Sequence, residues 1–231
     1  MIKEIIDKLV ALLAVSALLA SCSESELWQN PQTEARDGYI MLNFKTEIPA
    51  MQEVVTRAVD PDGGGVQDMT LFCFDSYGLF ISTVKAGVTV QKPGPGEMEG
   101  TFKAEVPENT RTIHFLANQN MDEFKEDSFR NKSESEVMAV LEGSSGRMIY
   151  WGRFACDAGN DSNIAEQMAT SGNSVKLIRN HARISVDNPD NNGHIVITGF
   201  AVCNTNAFGT VAPHHPKKGF DFTWPSSDDP F

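Results

Sequence analysis

Short stretches in which every second residue is apolar, separated by clusters of Gly, Pro, Asn and Asp, run through most of this chain and leave little choice of architecture. In Gly38-Tyr-Ile-Met-Leu-Asn-Phe-Lys-Thr46, residues Ile40, Leu42 and Phe44 fall on one face of an extended segment, the period-two signature of a half-buried strand. Met69–Phe74 and Leu79–Val84 flank Asp75-Ser-Tyr-Gly78, a Gly-containing connection that predicts a hairpin. Further strands are expected over Gly100–Val106 and Thr110–Ala117, split by Pro107-Glu-Asn109, and over Met148–Cys156, Ser174–Val186 and His194–Cys203. Within Ser174–Val186, Val175 and Leu177 alternate in one register while Ala182, Ile184 and Val186 alternate in the other, which predicts a bulge near Arg179–His181. Ser133-Glu-Ser-Glu136 predicts a single short helix, with Ser133 as N-cap, Glu136 closing a capping box and Gly143 ending the helix. The sum is an all-β fold, an antiparallel β-sandwich of about seven strands with one short helix.

The N-terminus follows a different rule. Leu9 to Ala20 is a twelve-residue apolar run broken only by Ser16, and it closes on Leu19-Ala-Ser-Cys22. A bilayer span needs roughly eighteen residues or more, whereas this length suits the h-region of a signal peptide. Small residues before a cysteine are what a bacterial lipoprotein signal ends on, with cleavage between Ser21 and Cys22 and lipidation of Cys22, including an acyl chain such as palmitate on the new amino group. A plain secretory signal with a chance cysteine is the alternative, and Lys3 and Lys8 are offset by Glu4 and Asp7. Residues 1–21 are therefore assigned to the signal, 22–37 to a polar tether and 38–212 to a sandwich domain. Residues 213–231 are assigned to a linker or the start of a missing C-terminal domain, because Gly219-Phe-Asp-Phe-Thr-Trp-Pro225 opens a new aromatic alternation.

Charge and motif content narrow the function classes. The net charge is −12, and removal of the signal leaves it unchanged. That sign argues against nucleic acid and anionic lipid headgroups, which need clustered Lys and Arg. A hydrophobic fraction of 41% with 14 Phe supports a folded core rather than disorder. Cys73, Cys156 and Cys203 each lie in an apolar stretch without metal-ligand spacing, so they read as buried free thiols, with one disulfide as the alternative. Asp60-Pro-Asp-Gly-Gly-Gly65 lacks the glutamate that completes a calcium loop. His214-His215 has no third ligand nearby in sequence, and Trp28, Trp151 and Trp224 read as core or interface residues before sugar platforms. No nucleophile elbow, zincin helix or phosphate loop is present. We expect no catalytic residues, no metal, no cofactor and no enzyme activity. Ile48 to Gly65, with Pro49 and the Gly run, reads as a long exposed loop carrying Arg57.

Several segments together resemble the fimbrillin family of bacteroidete surface pili, the type V pilins. They are Leu19 to Cys22, Val55-Thr-Arg57-Ala58, the hairpin Met69 to Gly78 and Arg111-Thr-Ile-His-Phe-Leu-Ala-Asn118. Val175 to Val186 and Ile197 to Gly209 complete the set. The likeness covers residues 19 to about 212 and corresponds to the N-terminal half of such a pilin, whose two domains are transthyretin-like sandwiches. It implies a lipidated outer-membrane precursor, an arginine-specific protease cutting after Arg57, and departure of the strand bearing Ile40, Leu42 and Phe44. A strand from a neighbouring subunit would then fill the groove, giving a stalk or tip subunit of a fimbrium that supports cell adhesion. Arg57 also reads as an exposed arginine without a role, and Arg36 offers another basic site. The alternative to a pilus subunit is a monomeric outer-membrane lipoprotein binding glycan or host protein.

Overall fold

Burial sorts the strands into two kinds. The computed structural model describes residues 35–47, 66–88, 99–122, 124–143, 148–180, 197–199, 201–203, 209–215, 218–220 and 222. In chain order the strands are β1 (Tyr39–Glu47), β2 (Met69–Phe74), β3 (Phe80–Lys85), β4 (Gly87–Val88), β5 (Glu99–Pro107) and β6 (Thr112–Ala117). A 3-10 turn (Glu126–Phe129) and helix α1 (Glu134–Ala139) follow, then β7 (Glu142–Gly143), β8 (Tyr150–Ala155), helix α2 (Ile164–Thr170), β9 (Ser174–Lys176) and β10 (Ile178–Arg179). The last pieces are β11 (Gly209–Thr210), β12 (His214–His215) and β13 (Gly219–Phe220). β1 alternates strictly, burying Ile40, Leu42, Phe44 and Thr46. β2 and β6 are buried at all six positions each.

Two sheets account for the difference. One has the order β4-β5-β1-β9 and the other β10-β8-β6-β2-β3, with antiparallel pairing throughout except for the parallel β1–β9 contact. Their facing surfaces share one core: Ile40, Leu42 and Phe44 of β1 with Phe102, Ala104 and Val106 of β5, against Leu71, Cys73, Ile113 and Phe115. The five-stranded sheet buries its outer surface as well. Phe72, Phe74, Leu116 and Trp151 pack there beneath α1, the 3-10 turn and Val211. Hence β2 and β6 read as unbroken apolar runs while β1 alternates. The molecule is an all-β sandwich with an extra covering layer on one side.

The expected hairpin forms. Asp75 Oδ1 accepts from the amides of Tyr77 (2.8 Å) and Leu79 (2.9 Å), closing an Asx turn, and Gly78 takes φ 72°. The Ser133–Glu136 capping box also forms, but α1 ends at Ala139, and Gly143 instead lies in β7, paired with β11. The single helix expected from sequence has a companion, α2. Asn163 caps it and Glu166 completes a second capping box, and Ile164, Ala165 and Met168 enter the core between the sheets. Among the described residues the two main sheets hold nine strands rather than about seven, partly because Ser174–Arg179 is split between β9 and β10.

Within the described part of Ser174–Val186 the chain changes sheet, and the bulge expected near Arg179–His181 turns on residues 181–186, which lie outside the described residues. β9 pairs with β1, β10 pairs with β8, and the chain crosses between them at Leu177, whose amide donates to the Glu47 carbonyl at 2.7 Å. The corner passes directly over Gly152, where an added Cβ would stand 2.6 Å from the Lys176 carbonyl oxygen and 2.8 Å from Leu177 Cδ2. The strand expected over His194–Cys203 is not seen at 197–199 or 201–203, which are exposed and belong to no strand.

Candidate functional site

β1 carries Ile40, Leu42 and Phe44, the residues that the resemblance singles out. It pairs with β5 in unbroken antiparallel register from Tyr39 opposite Pro107 to Glu47 opposite Glu99. On its other side β9 covers only Lys45 to Glu47. Among the described residues, β1 is therefore flanked along its whole length on one side and at one end on the other. Ile40, Leu42 and Phe44, the three residues expected to leave with the strand, are 4%, 1% and 0% exposed. Phe44 is the anchor, stacked on Phe102 at 5.7 Å between ring centres and edge-on to Phe115 at 5.0 Å. Removing β1 would open a groove floored by β2 and β6 and walled by the backbone of β5.

Sequence reasoning missed the fourth inward residue. Thr46 is fully buried, faces Gly100 on β5 and Val175 on β9, and its hydroxyl has no hydrogen-bond partner among the described residues. A search for apolar alternation passes over a threonine, although the even spacing from Ile40 points to it.

The ends of β1 are tied down by polar contacts. Arg36 donates to Glu105 from its backbone amide (2.6 Å) and its Nε (2.7 Å), and its guanidinium lies 4.3 Å from the centre of the Tyr39 ring. The Arg36 backbone bond, more than the side-chain contact, holds the Glu105 carboxyl below its ordinary range. Arg36, the second basic site before the strand, is thus engaged with β5. At the other end the Lys45 amide donates to the Asn173 carbonyl (2.7 Å) and Ser174 Oγ donates to Glu47 Oε1 (2.5 Å). Ser21, Cys22 and Arg57 lie outside the described residues, as do Trp28, Trp224 and the Asp60–Gly65 run.

A second polar cluster lies behind the five-stranded sheet. His114 on β6 is fully buried. Its Nδ1 accepts from the Trp151 indole at 3.0 Å and its Nε2 meets Glu134 Oε2 at 2.7 Å. An indole nitrogen can only donate, so Nδ1 carries no proton and the ring is the neutral Nε2–H tautomer. Burial lowers the His114 pKa, with the Glu134 carboxylate opposing and Arg153 assisting. Burial works to raise the Glu134 pKa, but bonds from His114 and from Arg153 (2.7 and 3.2 Å) bring it down to about 2. The cluster is capped by Phe222, 4.8 Å from the His114 ring, and Phe220 packs beside it against the same outer core. Part of the 213–231 segment, expected to be a linker or the start of another domain, therefore lies on the sandwich itself.

The remaining candidates resolve simply. Cys73 is buried, and burial pushes its thiol up to about 12. Cys156 is half-buried and Cys203 exposed, so burial holds fully only for the first; all three are free thiols. Trp151 is a core residue. His214 lies in β12, paired with β13, and its ring contacts the Phe220 ring. Among the described residues no cluster of three or more His, Cys, Asp or Glu side chains could hold a metal, and no helix is long and apolar enough to cross a membrane.

Neither a family model nor a curated protein matches the sequence. Among solved structures, the chain is similar to one described as a "putative cell adhesion protein" from Bacteroides eggerthii, at 8% identity and a TM-score of 0.32. The match covers 60% of this chain and 39% of that one, so it spans about two fifths of that structure's length.

Proposed function

We propose that this protein is a fibre-forming surface subunit, exported as a lipoprotein on Cys22 and assembled by replacement of β1 with a strand from a neighbouring copy or subunit. The observation that carries the reading is the position of β1. It fills a core groove with four alternate side chains, is fully paired to β5 and is only partly covered by β9. Loss of such a strand leaves unpaired backbone beside an apolar trough, an edge that demands a partner. β-augmentation supplies one, with main-chain bonds giving affinity and alternating side chains giving register. Groove and donor are different surfaces, so the contact is head-to-tail and grows as an open filament. An arginine-specific protease cutting after Arg57 would release β1 together with the lipid, converting an outer-membrane precursor into a fimbrial subunit that supports cell adhesion. The role is structural, with no catalysis and no cofactor.

The test is to treat the full-length chain with an arginine-specific protease and follow fragment identity and particle size. The expected result is a cut after Arg57 followed by ordered oligomers, and no oligomers from Arg57→Ala. A chain cut there that stays monomeric with its neighbouring subunits present defeats the reading and leaves a monomeric surface lipoprotein that binds glycan or host protein.

A further inference from the structure

Strand exchange between two candidates for one groove is decided by side chains, because the β5 backbone offers each the same ladder. Three of the four inward positions of β1 fit well. Ile40 and Leu42 are almost fully buried, and Phe44 sits in an aromatic slot between Phe102 and Phe115. The fourth position is where β1 fits poorly. The Thr46 hydroxyl is buried without a hydrogen-bond partner among the described residues, and its cross-strand neighbours, Gly100 and Val175, offer no side-chain acceptor. A buried hydroxyl left without a hydrogen bond is a net loss, whereas a methyl group of the same shape is not.

We infer that Thr46 makes β1 a deliberately second-best occupant of its groove, which selects a replacement strand with an aliphatic, β-branched residue at the fourth inward position. The preferred partner segment is extended, with aliphatic residues at its first two inward positions, an aromatic ring at the third, and Val or Ile at the fourth. Polar or charged residues suit its outward positions, as at Asn43 and Lys45, because that face of β1 is half-buried or exposed. The inference rests on the strand-exchange reading and adds to it a direction. Exchange from β1 to such a donor runs downhill without an external energy source, and the mismatch keeps the resident strand from rebinding in competition.

Two measurements test it. Thr46→Val in the uncut full-length chain should raise the melting temperature by several degrees, with Thr46→Ser, which keeps the hydroxyl, giving no rise. The wild-type chain, nicked after Arg57 but otherwise complete, is then mixed with fluorescent peptides copying 38–48 with Thr or Val at the fourth inward position. Displacement of the resident fragment is read by mass, and the Val peptide should bind roughly tenfold more tightly. Equal affinity, or no stabilisation by Thr46→Val, overturns the selectivity while leaving strand exchange standing. Failure of both peptides to displace the fragment overturns strand exchange, and the selectivity with it.

Discussion

The two sheets of this sandwich use the same residue types to different ends. The four-stranded sheet is apolar on one face only, and β1 turns Met41, Asn43, Lys45 and Glu47 away from the core. The five-stranded sheet is apolar on both faces, since Leu71 and Phe72, neighbours on β2, are each fully buried on opposite sides. A strand of the first kind makes its core contacts through alternate side chains alone. A strand of the second kind is held by two independent cores. The contrast separates β1, held through one buried face, from β2 and β6, held through two.

Four substitutions probe that contrast. Leu42→Asp puts an unpaired carboxylate between the sheets and should cost about 4 kcal/mol or more, read by urea unfolding; an unchanged midpoint would remove β1 from the core. Phe72→Ala should cost about 3–5 kcal/mol through the outer core alone. A loss below about 1 kcal/mol would mean that the second layer does not hold β2.

Glu134→Gln tests the polar hinge of that layer, where α1 meets the sheet. Because the folded-state pKa of Glu134 is depressed from 4.5 to about 2, its contribution is present above pH 4.5 and lost as pH falls toward 2. The variant should be about 2 kcal/mol less stable at pH 7, a figure reduced from the full shift because the side chain remains 16% exposed. The difference from wild type should vanish near pH 2 in acid titrations followed by circular dichroism. Met41→Ala, on the open face of β1, should change stability by no more than about 0.5 kcal/mol; a larger loss in a thermal melt would give β1 a second buried face.

The alternating strand was legible from Ile40, Leu42 and Phe44 because one buried face writes a period of two. The continuous runs in β2 and β6 read as strands, but not as doubly buried ones, since the layer covering them comes from α1 and Val211, far apart in sequence. Helix α2 carried the same signature as α1, Asn163 with Glu166 three residues on. It escaped because the seven-residue segment that follows lies between two strand-like stretches. The change of sheet at Leu177 was not legible, because Val175 and Leu177 keep one alternation and only the sheet order shows that β9 pairs with β1 and β10 with β8. Thr46 follows the even spacing from Ile40, but no sequence pattern shows that its hydroxyl lacks a partner among the described residues.

The nine-residue ladder between β1 and β5 also sets how the pair would respond to force. Tension along the axis of a strand in that slot pulls on every rung together, in shear, instead of peeling them apart one at a time. Rupture then requires many bonds to fail at once, and the lifetime under force is governed by that barrier rather than by the equilibrium stability of the fold. The ladder resists tension along the strand far better than forces that lift β1 sideways, toward the side on which, among the described residues, only Lys45 to Glu47 is paired.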